Sequence, residues 1–185
     1  MREPEGSSDM TVTVNRAPVL TLWAAVAAER LGFEWPTALS LGKAMAGLTA
    51  QTKGRRLGIY APPKLDEGAR PKKVGLGEEF WVEVCGRPVP AKNTPNGIRA
   101  VSGAEPIDPE PVERYLRGKF GDHLADVRKA MEQVAASYGP KELSEQAFSL
   151  YEIFRPKIAS GTRGWGQKGE LDVGLIRSLA RRGSG

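Results

Sequence analysis

The run APVLTLWAAVAA, residues 17–28, constrains the fold most, because it is the longest apolar stretch and has to be buried. It is much shorter than the roughly 20 residues that a transmembrane helix needs. It has the length of a signal-peptide core, but Glu3, Glu5 and Asp9 precede it, where a signal peptide carries positive charge. We therefore predict a buried helix in a cytoplasmic protein.

Residues typical of helix ends flank this run. Asn15 is a good N-cap, Pro18 suits a first turn, and Gly32 suits the position just past a helix end. The larger apolar side chains fall on one side of the predicted helix, namely Val19, Leu22, Trp23 and Val26. The pattern predicts a helix between Asn15 and Gly32 with one apolar face.

A second helix is predicted over residues 36–53. Its apolar stripe recurs at spacings of three and four residues, through Leu41, Met45, Leu48 and Thr52. Gly42 and Gly47 lie among the small residues beside this stripe, and each costs a helix about 1 kcal/mol relative to alanine. Because a small residue lets backbones come close together, we interpret both glycines as places where another helix approaches.

Residues 78–101 predict a small antiparallel sheet of two or three strands. Phe80, Val82 and Val84 alternate with polar neighbours, as in a strand that is buried on one face. The tripeptide GRP at 86–88 is interpreted as the first turn, and the Asn96-Gly97 pair as a second, hairpin-type turn. Such a sheet is marginal alone and has to pack on helices.

Three amphipathic helices are predicted after Gly103. Asp108 is a good cap for the first, and the breaks Gly121-Asp122 and Gly139-Pro140 separate the three. Short connections of this kind favour a compact helical bundle. The following RPKIASGTRGWGQKGELD, residues 155–172, is predicted to be an irregular basic loop, and Asp172 to cap a last short helix.

The predicted fold class is α+β and mostly α, with an N-terminal helix pair and a C-terminal helical bundle flanking a small antiparallel β-sheet. Residues 1–10 lack apolar anchors and are predicted to be disordered. Residues 11–104 would hold the helix pair and the sheet, and residues 105–185 a C-terminal helical domain.

The positive charge of the chain is concentrated in two segments. The whole chain has a net charge of +5. Residues 53–73 contain seven basic and two acidic residues, and residues 155–182 contain the same numbers. Each segment therefore has a net charge of +5, and the remainder of the chain has −5. Segregated cations of this kind favour a polyanionic partner.

The sequence lacks the residues that zinc binding, nucleotide binding and most kinds of catalysis require. The single cysteine and single histidine, Cys85 and His123, are too few for a structural zinc site. The LGKA motif at 41–44 has Ala44 where a phosphate-binding loop needs Ser or Thr. A Cys85–His123 dyad and a carboxylate pair within Glu78–Glu83 stay open as minor enzymatic alternatives, and no cofactor is predicted.

Two parts of the basic segments fit contacts to phosphate. Lys53, Arg55 and Arg56 lie at the predicted end of the second helix, close to Tyr60. In the second segment, Arg163 and Lys168 lie among glycines near Trp165, whose ring offers a stacking surface. Glycine lets backbone N–H groups approach a phosphate closely. Solvated cations and a buried Trp165 are the structural alternative.

A family resemblance covers about a third of the chain. The segments VERYLRGKFGDHLADVRKAM and AFSLYEIFRPKIASGTRGWGQKG resemble the helix–two-turns–helix domains of base-excision glycosylases and of a small-subunit ribosomal protein. The resemblance implies backbone contacts to DNA or RNA from Lys119, Gly121, Arg163 and Lys168. It does not extend to the glycosylases' N-terminal catalytic residue or zinc finger, so it implies no glycosylase activity. As a whole, the chain resembles a family of small bacterial proteins.

These observations predict a non-enzymatic nucleic-acid-binding protein that contacts the phosphate backbone of DNA or RNA through its two basic segments. The alternative is a protein-interaction or assembly module that uses the small-residue helix at 36–53 to bind a partner or a second copy. No membrane association is predicted.

Overall fold

Helix α1 (Arg16–Arg30) is enclosed by the rest of the protein. The structure, a computed structural model, describes residues 11–55, 79–102, 105–157 and 168–180. Every residue from Pro18 to Ala28 is buried, which confirms the predicted buried helix. Burial extends around the whole helix and is wider than the single apolar face expected from the sequence.

The two ends of α1 differ in how well they were predicted. Gly32 follows the helix with a positive φ of 112°, as expected for a residue that ends a helix. Asn15 is the N-cap residue, as predicted, but its side chain forms no capping hydrogen bond. Asn15 is also the last residue of strand β1 (Thr11–Asn15), and its backbone pairs with another strand.

Helix α2 (Trp35–Arg55) packs back against α1. A Cβ atom built on Gly42 would collide with the carbonyl oxygen of Thr21 and lie 3.0 Å from the backbone nitrogen of Ala25. The predicted close approach at Gly42 is therefore confirmed. Nothing lies within 4 Å of a Cβ on Gly47, so the same interpretation of Gly47 is wrong.

A four-stranded antiparallel sheet covers the other side of α2. Its strands are β2 (Glu79–Val84), β3 (Arg87–Thr94), β4 (Gly97–Ser102) and β5 (Glu105–Pro106), in the order β2-β3-β4-β5. Two hydroxyls of α2 attach the helix to β4. The Thr37 hydroxyl donates to the carbonyl oxygen of Ile98 at 2.7 Å, and that of Ser40 accepts from the Ala100 N–H at 2.9 Å.

Both hairpin turns lie slightly earlier in the chain than predicted. The first consists of Cys85 and Gly86, with φ of 51° and 78°, as a two-residue turn with two positive φ angles requires. Arg87 already belongs to β3. In the second hairpin Thr94 pairs with Gly97, which places the turn at Pro95 and Asn96. Gly97 opens β4 with a φ of 119°, which favours glycine.

The C-terminal segment forms the predicted helices, but they pack more on α1 and α2 than on one another, so the predicted self-contained bundle is wrong. They are α3 (Pro109–Phe120), a 3₁₀ turn (Gly121–His123), α4 (Leu124–Ala136) and α5 (Pro140–Phe154). The carboxylate of Asp108 accepts from the Glu110 N–H at 3.2 Å, which confirms the predicted cap. The buried side chains of these helices include Leu116, Phe120, Val127, Met131, Leu143, Tyr151 and Phe154.

Strand β6 (Lys168–Asp172) was not predicted. It pairs antiparallel with β1, and the register joins Thr11 to Asp172 and Asn15 to Lys168. The prediction of irregular structure over 155–172 is therefore wrong for this strand. Asp172 then caps α6 (Val173–Ser178) by accepting from the Leu175 N–H at 3.1 Å, as predicted.

One cluster of buried side chains joins α1 and α2 to the C-terminal helices. Trp23 of α1 donates from Nε1 to the carbonyl oxygen of Ala147 at 2.8 Å, and its ring meets that of Phe154 edge to face at 5.3 Å. Arg30 binds the end of α4 by donating to the carbonyl oxygens of Ala135 (3.1 Å) and Tyr138 (2.7 Å).

The predicted fold class, α+β and mostly α with small antiparallel sheets, is confirmed. No helix in the described ranges has the length and apolarity that crossing a membrane demands. The division between residues 11–104 and 105–185 stays a prediction, and residues 1–10 lie outside the described residues.

The two glycines of α2 make a matched pair for testing the α1–α2 contact. Gly42→Ala is expected to destabilise the protein by about 2 kcal/mol, because the added methyl group meets the backbone of α1 and overpacking typically costs 1–3 kcal/mol. Gly47→Ala meets no atom and is expected to stabilise by up to about 1 kcal/mol through helix propensity. Urea unfolding of both variants measures the difference, and equal shifts would contradict the described contact.

Candidate nucleic-acid interface

The structure places four of the seven predicted contact residues. Lys53 and Arg55 lie in the last turn of α2, Lys119 lies at the end of α3, and Lys168 is the first residue of β6. The predicted contacts at Arg56, Arg163 and Trp165 lie outside the described residues.

Helices α2 and α5 both run towards the start of α1. Gly42 lies against Thr21 and Ala25, and α2 continues past this contact to Arg55, about 20 Å further along its axis at 1.5 Å per residue. Helix α5 meets Trp23 at Ala147, and Pro156, just beyond α5, meets Arg16. Both helices therefore run antiparallel to α1, and the end of α5, with Arg155, lies beside Arg16.

We call this surface the basic end; it comprises Arg16, Arg155, Lys157 and Lys168. Arg16 donates from Nε to the carbonyl oxygen of Pro156 at 2.9 Å. The Tyr151 hydroxyl donates to the carbonyl oxygen of Arg16 at 3.5 Å, and the Arg155 guanidinium lies 6.0 Å from the centre of the Tyr151 ring. Lys168 pairs with Asn15, the residue that precedes Arg16. Local backbone contacts thus bring cations from three elements together.

The charges of Arg16 and Arg155 are not compensated within the described chain. No carboxylate among the described residues forms an ion pair with either guanidinium. Burial lowers the pKa of Arg16, and the neighbouring positive charge of Arg155 lowers it further. Arginine remains a cation at neutral pH despite such shifts. Two cations held together without a counter-ion make a place that favours an anion.

The position of Arg16 at the start of α1 strengthens this conclusion. The N-terminal end of a helix carries a partial positive charge that disfavours a cation and favours an anion. A bound phosphate would therefore gain from the helix end and from both guanidinium groups.

Acidic residues limit the basic end on one side. A cavity of about 500 Å³ beside it is lined by Arg155 and Lys157 but also by Glu170 and Asp172. Asp172 is engaged in capping α6. Because cations and carboxylates share this wall, the cavity is not uniformly positive, and the Arg16–Arg155 pair is the part best suited to phosphate.

The structure does not bring Lys119 to the basic end. Lys119 and Lys43 both lie over the ring of Tyr115, with Nζ 5.9 Å and 5.1 Å from its centre. The residues that follow Lys119 pack near the first turns of α2, which is the end of α2 away from Arg55. A contact from Lys119 to a phosphate backbone would have to reach a different part of the surface.

The sequence interpretation missed Arg16, and it counted Arg155 and Lys157 only as members of a charged segment. One signal for Arg16 is present in the sequence, because a basic residue in a predicted first helical turn is unfavourable for the helix dipole. Its pairing with Arg155 connects the start of α1 to the end of α5 and leaves no trace in the sequence.

The residues of the enzymatic alternatives lie in ordinary structural positions. Cys85 is buried in the β2–β3 turn, whereas His123 is exposed between α3 and α4. Glu79 lies 3.9 Å from Lys92 on the adjacent strand. Within the described ranges, no group of three or more Cys, His, Asp or Glu side chains is arranged to hold a metal ion.

No protein-family model, curated protein or solved structure matches this chain.

An anion bound at the basic end should stabilise the fold. Inorganic phosphate at tenfold excess over its Kd is expected to add about 1.4 kcal/mol, a rise in Tm of about 3 to 5 °C for a chain of this size. Thermal unfolding in phosphate and in chloride at equal ionic strength measures this. The rise should be lost in Arg155→Gln and kept in Lys129→Gln, an exposed position on α4. Equal rises in both variants would contradict an anion site at the basic end.

Burial of Tyr151 predicts a loss of stability at alkaline pH. Burial raises the pKa of the Tyr151 phenol, although Arg155 and Arg16 oppose the shift. The folded state therefore keeps a proton that the unfolded chain loses above pH of about 10, and stability falls as the pH rises beyond that point. The extra loss is up to about 1.4 kcal/mol per pH unit. Urea unfolding at pH 7 to 11 should show a steeper loss in wild type than in Tyr151→Phe, and parallel profiles would contradict the prediction.

Proposed function

We propose that the protein binds nucleic acid through the phosphate backbone, with the basic end as the contact surface. The observation that carries the proposal is the Arg16–Arg155 pair, which has no carboxylate partner among the described residues. Phosphate neutralisation by Lys and Arg supplies most of the affinity of such proteins for DNA or RNA. We further infer that the protein acts in the cytoplasm, because its single cysteine requires no oxidising compartment.

The segregation of positive charge along the sequence supports this proposal. The segments beginning at Lys53 and Arg155 contribute a net charge of +5 each, in a chain whose remainder is negative. Arg155, the first residue of the second segment, lies at the end of α5 beside Arg16, so these two cations can face one ligand. A single run of phosphates spaced several ångströms apart matches a row of cations better than an isolated small anion does.

The structure bears on the assembly alternative through the first half of α2, whose side chains it describes. Most apolar residues of this half pack inside the chain, whereas Gly47 is exposed. Gly42 lies against α1, and Ala38, Leu41, Met45 and Ala46 are buried. This face is therefore occupied by the protein's own elements.

Fluorescence anisotropy with labelled duplex DNA, single-stranded DNA and an RNA hairpin tests the proposal. We expect micromolar or tighter binding at low salt, with an affinity that falls steeply as salt rises. Replacing both Arg16 and Arg155 by Gln should reduce the slope of log K against log salt by about 1 to 2, because each phosphate contact contributes about 0.9. No binding of any of the three probes at low salt would overturn the proposal.

A matched pair on α2 tests whether the end of that helix belongs to the interface. Arg55→Gln should weaken binding severalfold, whereas Lys43→Gln, on the same helix but over Tyr115, should leave it unchanged. If Lys43→Gln is the damaging substitution, the contact surface lies beside α3 and not at the basic end.

A further inference from the structure

A second surface feature lies away from the basic end. A groove of about 530 Å³ opens between the first turns of α2, the end of α3 and the first turns of α4. Leu22, Leu39 and Leu116 are buried residues that form its floor, and Trp35 and Leu124 are partly buried beside them. The floor is therefore apolar and large enough to receive several side chains of a ligand.

The charged side chains on the walls of the groove form ion pairs with one another and with neighbouring residues. On α3, Arg117 lies 2.9 Å from Glu113. On α4, Arg128 lies 2.8 Å from Glu132 and 3.7 Å from Glu29 of α1. The Arg128 guanidinium also lies over the Trp35 ring, 3.6 Å from its centre. The contacts of Arg128 with three elements hold this wall in place.

The charge left over at the groove is negative. Each of the two arginines is neutralised by a carboxylate, whereas Asp122 on the rim forms no ion pair with any described residue. Glu29 and Glu132 share a single arginine. Burial raises the pKa of the Glu29 carboxyl, the positive charge of Arg128 opposes this shift, and the negative charge of Glu132 adds to it. In a chain with a net charge of +5, this excess of carboxylates is local and would attract a cation.

The polar groups of the groove suit a peptide better than a small polar molecule. Sites for small molecules hold a few buried polar groups that orient the ligand. The buried polar residues of the described core are Thr21, Thr37 and Ser40, and none of them lines the groove. The lining offers an apolar floor and a charged rim, as grooves that bind amphipathic segments do.

We propose that this groove is the docking site for a basic amphipathic segment of a partner protein. Apolar side chains of the segment would pack on Leu39, Leu116 and Trp35, and a neighbouring Lys or Arg would pair with Asp122. The lining carries three carboxylates and two arginines, which disfavours nucleic acid in the groove, so the partner and the nucleic acid would occupy separate surfaces.

Fluorescence anisotropy with a labelled helical peptide of repeated Leu and Lys residues tests this proposal. A second peptide with the same Leu positions but Glu in place of Lys serves as the control probe. We expect saturable binding of the Lys peptide, at least tenfold tighter than that of the Glu peptide. Equal affinities, or no binding of the Lys peptide, would overturn the proposal.

Two exposed positions on α4 make a matched pair of variants. Ala125 lines the groove and Gln133 does not. Ala125→Trp should fill the groove and weaken the Lys peptide at least tenfold, whereas Gln133→Trp should leave its affinity unchanged. Asp122→Lys should reverse the preference between the two peptides. Unchanged binding by Ala125→Trp would place the peptide elsewhere and overturn the proposal.

Native mass spectrometry separates a partner from a second copy of this chain. The proposal expects a monomer in the absence of peptide. A dimer that Ala125→Trp dissociates would show that a second copy occupies the groove, and would overturn the assignment to a partner segment. Neither outcome affects the nucleic-acid assay, because Ala125 is not part of the basic end.

Discussion

The burial of α1 on all sides is the constraint on which the rest of the structure depends. A helix with no solvent-exposed face in its middle needs neighbours around its whole circumference, and α2, α3, α4 and α5 all contact it. Trp23 shows why these neighbours are needed. Its ring N–H is buried and requires a hydrogen-bond acceptor, which α5 supplies as the carbonyl oxygen of Ala147. Gly42 completes the arrangement by allowing the α2 backbone to reach that of α1.

This arrangement also explains how cations can gather at one end of the fold. Helix α5 runs opposite to α1, so its C-terminal end lies beside the N-terminal end of α1. The partial negative charge of this C-terminal end stabilises the nearby cation Arg155. Arg16 is the exception, since it lies at a positive helix end. The positive charge of the basic end is therefore only partly stabilised by the helix ends, and a bound anion would stabilise it further.

The main elements of the fold could be predicted because their signals are local. An uninterrupted apolar run identified α1, three-four spacing identified the C-terminal helices, and Asp108 and Asp172 marked where α3 and α6 begin. The same local reasoning failed at Gly47, because a glycine shows only that close approach is allowed. Whether a neighbour is present depends on the tertiary arrangement.

Strand β6 could not be predicted, because the sequence KGELD has only Leu171 as a buried side chain and therefore lacks an alternating pattern. The basic end and the groove between α2, α3 and α4 could not be fully predicted for a related reason, because tertiary packing assembles both of them. Arg16 and Arg155 meet through tertiary packing, and the groove is assembled from residues of four helices and one turn. Charge segregation was visible in the sequence, but the meeting point of the charges was not.

The pairing of β1 with β6 has a consequence for the order in which the molecule is built. Thr11 pairs with Asp172, so β1 is synthesised long before its partner strand and leaves the ribosome with nothing to pair with. Closing so long a loop costs chain entropy, and the contacts that offset this cost form only after the loop has closed. We therefore expect the helices to collapse around α1 first and the β1–β6 pair to form late. Because this pair places Lys168 beside Asn15 and Arg16, we expect the basic end to be completed late in folding.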